Sequence, residues 1–274
     1  MLTVRLLGRL EATVGSTPVR VIGRQAQALF ALLALERRRR SREAIGADLW
    51  PDGGAVSPGG LRQALWIVRN ALAAAGLDPD SVVDVDGEAI GLRRSTVLQL
   101  DVDVFERAAR GPLADVEAAI GIYRGDLVEL LGHECFASER ERLADLYEDT
   151  LAAAAANRLG AGDVEGARVI AERLLARDPL REEAHAVLIA VHGRQGTRSQ
   201  VIRQYRRLCL VLTRELEVEP LPETVLAYRQ ALALTVARSR RAAALRPVPL
   251  LPGLVRRGPA LPRHAGLRTI AAGG

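Results

Sequence analysis

Strand-forming patterns in this chain are confined to two short stretches at either end of its first hundred residues, and every other apolar pattern has helical spacing. The first stretch, residues 2–22, alternates in short runs: Thr3-Val4-Arg5-Leu6-Leu7, Leu10-Glu11-Ala12-Thr13-Val14 and Val19-Arg20-Val21-Ile22, separated by Gly8 and by Gly15-Ser16-Thr17-Pro18. That pattern predicts two or three antiparallel strands with a hairpin at 15–18. The second stretch, 82–100, sets Val82-Val83-Asp84-Val85 against Ala89-Ile90-Gly91-Leu92 across Asp86-Gly87-Glu88, with Val97–Leu100 as a third strand. Sheets this small do not stand alone. Both must pack on helices.

Three helices are expected between them. The first spans Arg24 to about Arg38 and closes on Arg37-Arg38-Arg39-Arg40; cations there complement the helix dipole or hold phosphates. Ser41 is placed to cap a second helix, Arg42–Trp50, with Ile45, Leu49 and Trp50 inward. The third is capped by Ser57, has Pro58 at its first position, and runs to about Ala75. Within it Leu61, Leu65, Val68 and Leu72 recur at helical spacing and form a stripe for burial. At about 100° per residue, Gln63, Trp66, Ile67 and Asn70 fall on the opposite face, with Arg62 and Arg69 on its flanks. Amides, a guanidinium and an aromatic ring suit base edges and phosphates. Taken alone, the stretch is equally an ordinary surface helix with an exposed Trp. A sheet, three helices and a terminal hairpin together describe a winged helix-turn-helix, in which the third helix enters the major groove.

Composition narrows the class. All 38 basic residues are Arg, which removes any chemistry needing a phosphate-cradling or Schiff-base Lys. Residues 1–102 carry 13 Arg against 11 acids, 103–233 carry 17 against 22, and 234–274 carry 8 Arg and no acid. The chain of 274 residues is long enough for about two domains with aliphatic cores. No stretch reads as a membrane span or a signal peptide. Cys135 and Cys209 are read as buried free thiols of a reducing cytoplasm.

From Asp103 onward the pattern is helical. Short helices at 104–109 and 113–123 precede an irregular segment holding His133, Glu134 and Cys135; longer ones follow at 138–159, 163–177, 181–194, 198–216 and 223–232. Gly162 and Gly196, each between a helix and its partner, lie 34 residues apart, the period of tetratricopeptide-type hairpins. Stacked hairpins make surfaces for protein partners. Residues 234–274, with five Pro and only Arg among the charges, are expected to be a disordered basic tail, either a weak contact for nucleic acid or lipid or a dispensable extension.

Six stretches in order resemble the Streptomyces antibiotic regulatory protein family, an OmpR-type winged helix joined to a bacterial transcriptional activation domain. They are Val4-Arg5-Leu6-Leu7-Gly8; Arg24-Gln25-Ala26-Gln27-Ala28-Leu29; Ser41-Arg42-Glu43 with Leu49-Trp50-Pro51; Leu61-Arg62-Gln63-Ala64-Leu65-Trp66; Asp178-Pro179-Leu180-Arg181-Glu182-Glu183-Ala184-His185; and Gln204-Tyr205-Arg206-Arg207 with Glu215–Pro220. The resemblance implies a mainly α protein with a small β component: a winged helix over 1–102, a TPR-like helical domain over 103–233, and the tail 234–274. It implies an activator, without cofactor or metal, that reads direct repeats in double-stranded DNA, contacts RNA polymerase, and works in the cytoplasm at the nucleoid, with a homodimer on DNA as a further option. In that frame Arg62, Gln63, Trp66, Ile67 and Asn70 face bases, and Arg69, Ser41, Arg42, Arg93 and Arg94 hold phosphates. Each Arg has a salt bridge as its alternative role. Family members commonly carry Arg where this chain has Ile67, which cannot grip guanine but can meet a thymine methyl.

The competing reading is a helical interaction module whose winged helix no longer reads DNA. An enzyme has little support. His133, Glu134 and Cys135 are adjacent, and His185 and His192 lie two helical turns apart, too far to share a metal.

Overall fold

Leu2 and Val4 are buried on one side of β1 (Leu2–Arg5), while Arg5 faces solvent. This alternation lets a strand cover a core on one face only. In the computed structural model, which describes residues 1–51 and 58–244, β1 pairs antiparallel with β2 (Glu11–Val14), and β2 with the two-residue β3 (Thr17–Pro18). Gly15 takes φ 59° at the hairpin, a conformation glycine adopts without strain. Pairing stops at Pro18 rather than continuing through Val19–Ile22. There the Val21 carbonyl is taken by Gln27 Nε2 at 3.0 Å, and the chain turns into a helix at Gly23.

The 98–100 strand departs from expectation. As β7 (Leu98–Leu100) it pairs parallel with β1, Leu2 opposite Leu98 and Val4 opposite Leu100, giving a four-stranded sheet of order β3-β2-β1-β7. The wing's third strand is β4 (Arg40–Ser41), which joins β6 (Ala89–Leu92) beside β5 (Val83–Val85) in the order β4-β6-β5. Between the sheets lie α1 (Arg24–Glu36), α2 (Arg42–Leu49), α3 (Pro58–Ala74) and a single turn, α4 (Pro79–Val82). Ser57, expected to cap α3, lies outside the described residues.

β7 runs straight into α5 (Asp101–Ala109), so the sheet and the helical part share a continuous chain and one core, extending from Leu2 to Val191. The Asp101 carboxylate accepts the backbone N–H groups of Leu6 and Leu7 at 2.8 and 3.0 Å. The segment after α6 (Leu113–Ile122) then straps over the end of β1. Gly8 N–H donates to the Asp126 carbonyl at 3.0 Å and Val128 N–H to the Leu6 carbonyl at 2.8 Å. Tyr123 and Tyr147 stack at 4.0 Å beside Phe105, and the Arg177 guanidinium lies 5.6 and 5.4 Å from their ring centres. Asp126 accepts from the Tyr123 hydroxyl at 2.9 Å and from Arg177 at 2.8 Å. The strap is thus locked to the helices behind it.

Those helices are α7 (Ala137–Gly160), α8 (Val164–Arg177), α9 (Glu182–Gln195), α10 (Arg198–Glu215) and α11 (Pro222–Ala244). Gly162 and Gly196 take φ 86° and 79° at successive turns, which accounts for glycine at both points of the repeat. α11 corrects the expected tail: it continues as helix to Ala244, where Thr235 is buried and Ser239 donates to the Thr235 carbonyl. The rest of the expected tail, from 245, lies outside the described residues.

Candidate nucleic-acid interface

α3 separates its residues by face. Leu61, Ala64, Leu65, Val68, Ala71 and Leu72 are buried, whereas Arg62, Gln63, Trp66 and Asn70 are exposed, Trp66 at 63%. Among the described residues Arg62, Gln63 and Asn70 make no hydrogen bond or ion pair; their polar groups are available to a ligand. Trp50, just past α2, lays its indole against the start of α3: a Cβ on Gly60 would sit 3.5 Å from it.

Ile67 is a correction. It is half-buried and packs against the core instead of standing in the middle of the outer face. The cause is Ala64 and Ala71, buried alongside the leucines, which widen the core-facing arc until Ile67 forms its edge. An aliphatic side chain suits that edge.

Several expected phosphate contacts have protein partners. Arg69 pairs with Asp80 at 2.8 Å, because α4 folds Asp80 back onto α3. The Ser41 hydroxyl caps α2, accepting the Ala44 N–H at 3.1 Å. Arg42 donates to the Asp86 carbonyl at 3.2 and 3.0 Å and so ties α2 to the wing turn. Arg93 donates to the Asp80 carbonyl and lies 3.7 Å from Asp84. Arg94 is exposed with no partner among the described residues. The tip of the wing is acidic: Asp84 and Asp86 pair with Arg39, and Glu88 is exposed.

The arginine run after α1 is a structural network. Arg37 pairs with Asp103, Arg38 with Glu36 at 2.9 Å, and Arg40, mostly buried, with Glu36 at 3.0 Å and with Asp48. Sequence reasoning missed that Arg39 and Arg40 carry the wing: Arg40 opposes Ile90 in the ladder, and Gly91 is needed because a Cβ there would sit 2.9 Å from Arg39 Cα. Gly91 between two apolar residues was the available signal.

Of the residues behind the resemblance in the helical part, Arg181, His185, Gln204 and Tyr205 act as clamps. His185 Nε2 donates to the Pro179 carbonyl at 3.1 Å, and its Nδ1 accepts from Gln204 at 2.9 Å; burial, with Arg207 nearby, holds its pKa below the ordinary value. Tyr205 stacks on Tyr228 at 4.0 Å, and Arg181 reaches Asp149 at 2.5 Å. His133, whose Nε2 donates to Gln25 at 2.8 Å across the seam, is shifted down by burial and then by Arg24. Burial pushes the Cys135 thiol up to about 11, which keeps it protonated and unreactive. Among the described residues no cluster could hold a metal ion, and no helix is long and apolar enough to cross a membrane.

Fold and surface together define a winged helix fused to a helical repeat domain. The chain belongs to the bacterial transcriptional activator domain family, whose model matches residues 96–232. It is similar to the transcriptional regulatory protein EmbR of Mycobacterium tuberculosis and of Mycobacterium bovis, with 25% identity over 248 residues covering 79% of this chain. The chain spans 60% of the length of these relatives. A solved structure of Mycobacterium tuberculosis EmbR, in complex with a low affinity phosphopeptide, superposes with a TM-score of 0.71 at 22% identity, covering 89% of this chain and 69% of that one. These matches bear out the resemblance to the Streptomyces antibiotic regulatory protein family, a family of transcriptional regulators and not of enzymes.

Proposed function

We propose that the chain is a sequence-specific, DNA-binding transcriptional activator whose α3 reads the major groove. The observation that carries this is the outer face of α3. Arg62, Gln63, Trp66 and Asn70 stand exposed together, the polar three without partners among the described residues, while the opposite face is locked into the core. Arg and Gln can bond guanine and adenine edges, and Trp66 supplies an apolar surface for thymine methyls. Arg94 is the wing arginine free to hold a phosphate; Arg42, Arg69, Arg93 and Ser41 act through the fold, holding α2, α3 and the wing in register. Ile67 sets the seating of α3. The helical hairpins serve protein contacts, RNA polymerase or a second copy on adjacent direct repeats.

The test is recovery of bound fragments from a genomic pool, followed by gel shift on the enriched sequence. Arg62→Ala with Gln63→Ala is expected to abolish sequence preference and leave folding intact. Unchanged preference would mean that α3 is not the reader. The acidic wing tip favours one alternative, a winged helix that has lost DNA reading, and enrichment of no sequence at all would select it.

A further inference from the structure

The helical domain is charged unevenly along its length. Residues 103–197 carry 11 Arg against 18 acids, and 198–241 carry 9 Arg against 4. In the acidic stretch the arginines are largely neutralised: Arg142, Arg158, Arg168, Arg177 and Arg181 all pair with carboxylates of the chain. α10 is different. It holds no acid before Glu215, and its buried face of Val201, Leu208 and Leu212 turns Arg203, Arg206, Arg207 and Arg214 to solvent as one stripe around Leu210. Arg206 and Arg207 have no ion pair among the described residues; Arg203 bonds Gln200 at 3.2 Å, and Arg214 is 3.3 Å from Glu215, its own neighbour. At 1.5 Å per residue the stripe runs about 16 Å. The stack of Tyr228 on Tyr205 sets α11 antiparallel to α10, and the Arg238 stem lies over Gly196, where α10 begins. The basic surface therefore extends onto the end of α11, with Arg240 and Arg241 also exposed. Residues 245–274 add five Arg and no acid.

We propose that the outward face of α10, Arg203, Arg206, Arg207 and Arg214, is a second binding surface for DNA, contacting the phosphate backbone independently of sequence and separately from α3. It rests on the reading of this chain as a DNA-binding protein. A duplex carries one charge per about 1.7 Å of its axis, so a stripe of four guanidinium groups releases several counterions when it lies along one strand. A row of cations with no acid between Arg203 and Arg214, continued past the start of α10 by Arg238, matches a polyanion of even charge better than a discrete acidic patch on a protein. The role is to raise affinity and slow dissociation while α3 supplies the sequence.

The test uses the full chain and a mixed-sequence duplex of about 40 base pairs, with affinity measured between 50 and 200 mM salt. Arg206→Gln with Arg207→Gln is expected to weaken binding and to flatten the slope of log affinity against log salt by about 1.8, two contacts at about 0.9 each. Arg206→Lys with Arg207→Lys is expected to keep the parent slope, which separates a charge effect from a folding defect. An unchanged slope in the Gln variant, alongside a flattened one in Arg62→Gln, overturns the α10 surface and leaves the α3 reading standing. No binding of the parent to this duplex at 50 mM salt overturns the α10 surface, whereas the α3 reading falls only if no sequence is enriched from the genomic pool. Retained duplex affinity with lost binding to poly-glutamate assigns the stripe to an acidic protein and likewise overturns the proposal.

Discussion

Asp101 is where the winged helix and the helical domain are fastened, and its replacement gives the sharpest test of that junction. Each carboxylate oxygen accepts one backbone N–H, from Leu6 and from Leu7, and these two residues are 0% and 2% exposed. In Asp101→Ala neither N–H keeps its acceptor. A buried donor left unsatisfied costs about 1–3 kcal/mol, so the pair is worth roughly 2–6 kcal/mol. Asp101→Asn keeps one carbonyl acceptor and turns an amide NH2 toward the other donor, so about half of that loss is expected. Because a single buried cluster runs from Leu2 to Val191, urea unfolding should show one transition in both variants, shifted to lower midpoint with an unchanged slope. A loss under about 1 kcal/mol in Asp101→Ala would show that the two N–H groups find other acceptors, and the account of the seam would be wrong. Separate transitions for the two parts would refute the shared core.

Stability is also expected to fall with pH between 7.5 and 5.5. His133, His185 and His192 are all held below their ordinary pKa, each chiefly by burial. A group whose folded pKa lies below its unfolded value of about 6.5 binds its proton more readily in the unfolded state. The stabilisation is therefore present above that value and is lost as pH falls toward the folded pKa values. His185→Gln should flatten the profile measured by urea unfolding, and a parent profile without slope across that range would contradict the burial of these rings. At the α9–α11 contact, a Cβ on Gly193 would sit 2.8 Å from Ala231 Cα. Gly193→Ala should cost about 1–3 kcal/mol of overpacking, partly offset by helix propensity. Gly121→Ala, with nothing within 4 Å, should gain up to about 1 kcal/mol by thermal melting.

The parts of the fold legible in the sequence are those set by local periodicity. The buried stripe of α3, the hairpin turns at Gly162 and Gly196 and the exposed Trp66 all follow from spacing within one helix or one turn. What spacing could not show is which distant group completes each contact. β7 carries the same alternation whether it joins the wing or β1; Leu98 and Leu100 side with Leu2 and Val4 because the core behind β1 is there to be covered. Arg42 and Asp86 are 44 residues apart, and Arg69 meets Asp80 only because Asp78 caps a turn that brings it back. An arginine in a basic-looking helix reads as a phosphate contact until its carboxylate is placed.

That placement changes which residues the proposed DNA contact of the first hundred residues can rest on. Of the arginines expected to hold phosphates, Arg69 and Arg93 are spent on Asp80 and Asp84, and Arg42 on the wing turn, which leaves Arg94. One phosphate contact gives a salt slope of only about 0.9, too little for strong nonspecific binding. Trp66 then has to contribute through apolar contact what cations do not. Trp66→Ala should leave stability within about 0.5 kcal/mol of the parent, since the ring is 63% exposed. It should nonetheless lower affinity for the enriched sequence at every salt concentration without changing the slope. A change in slope with Trp66→Ala would mean that the ring orders a nearby cation, and an unchanged affinity would mean that α3 meets DNA through its polar residues alone.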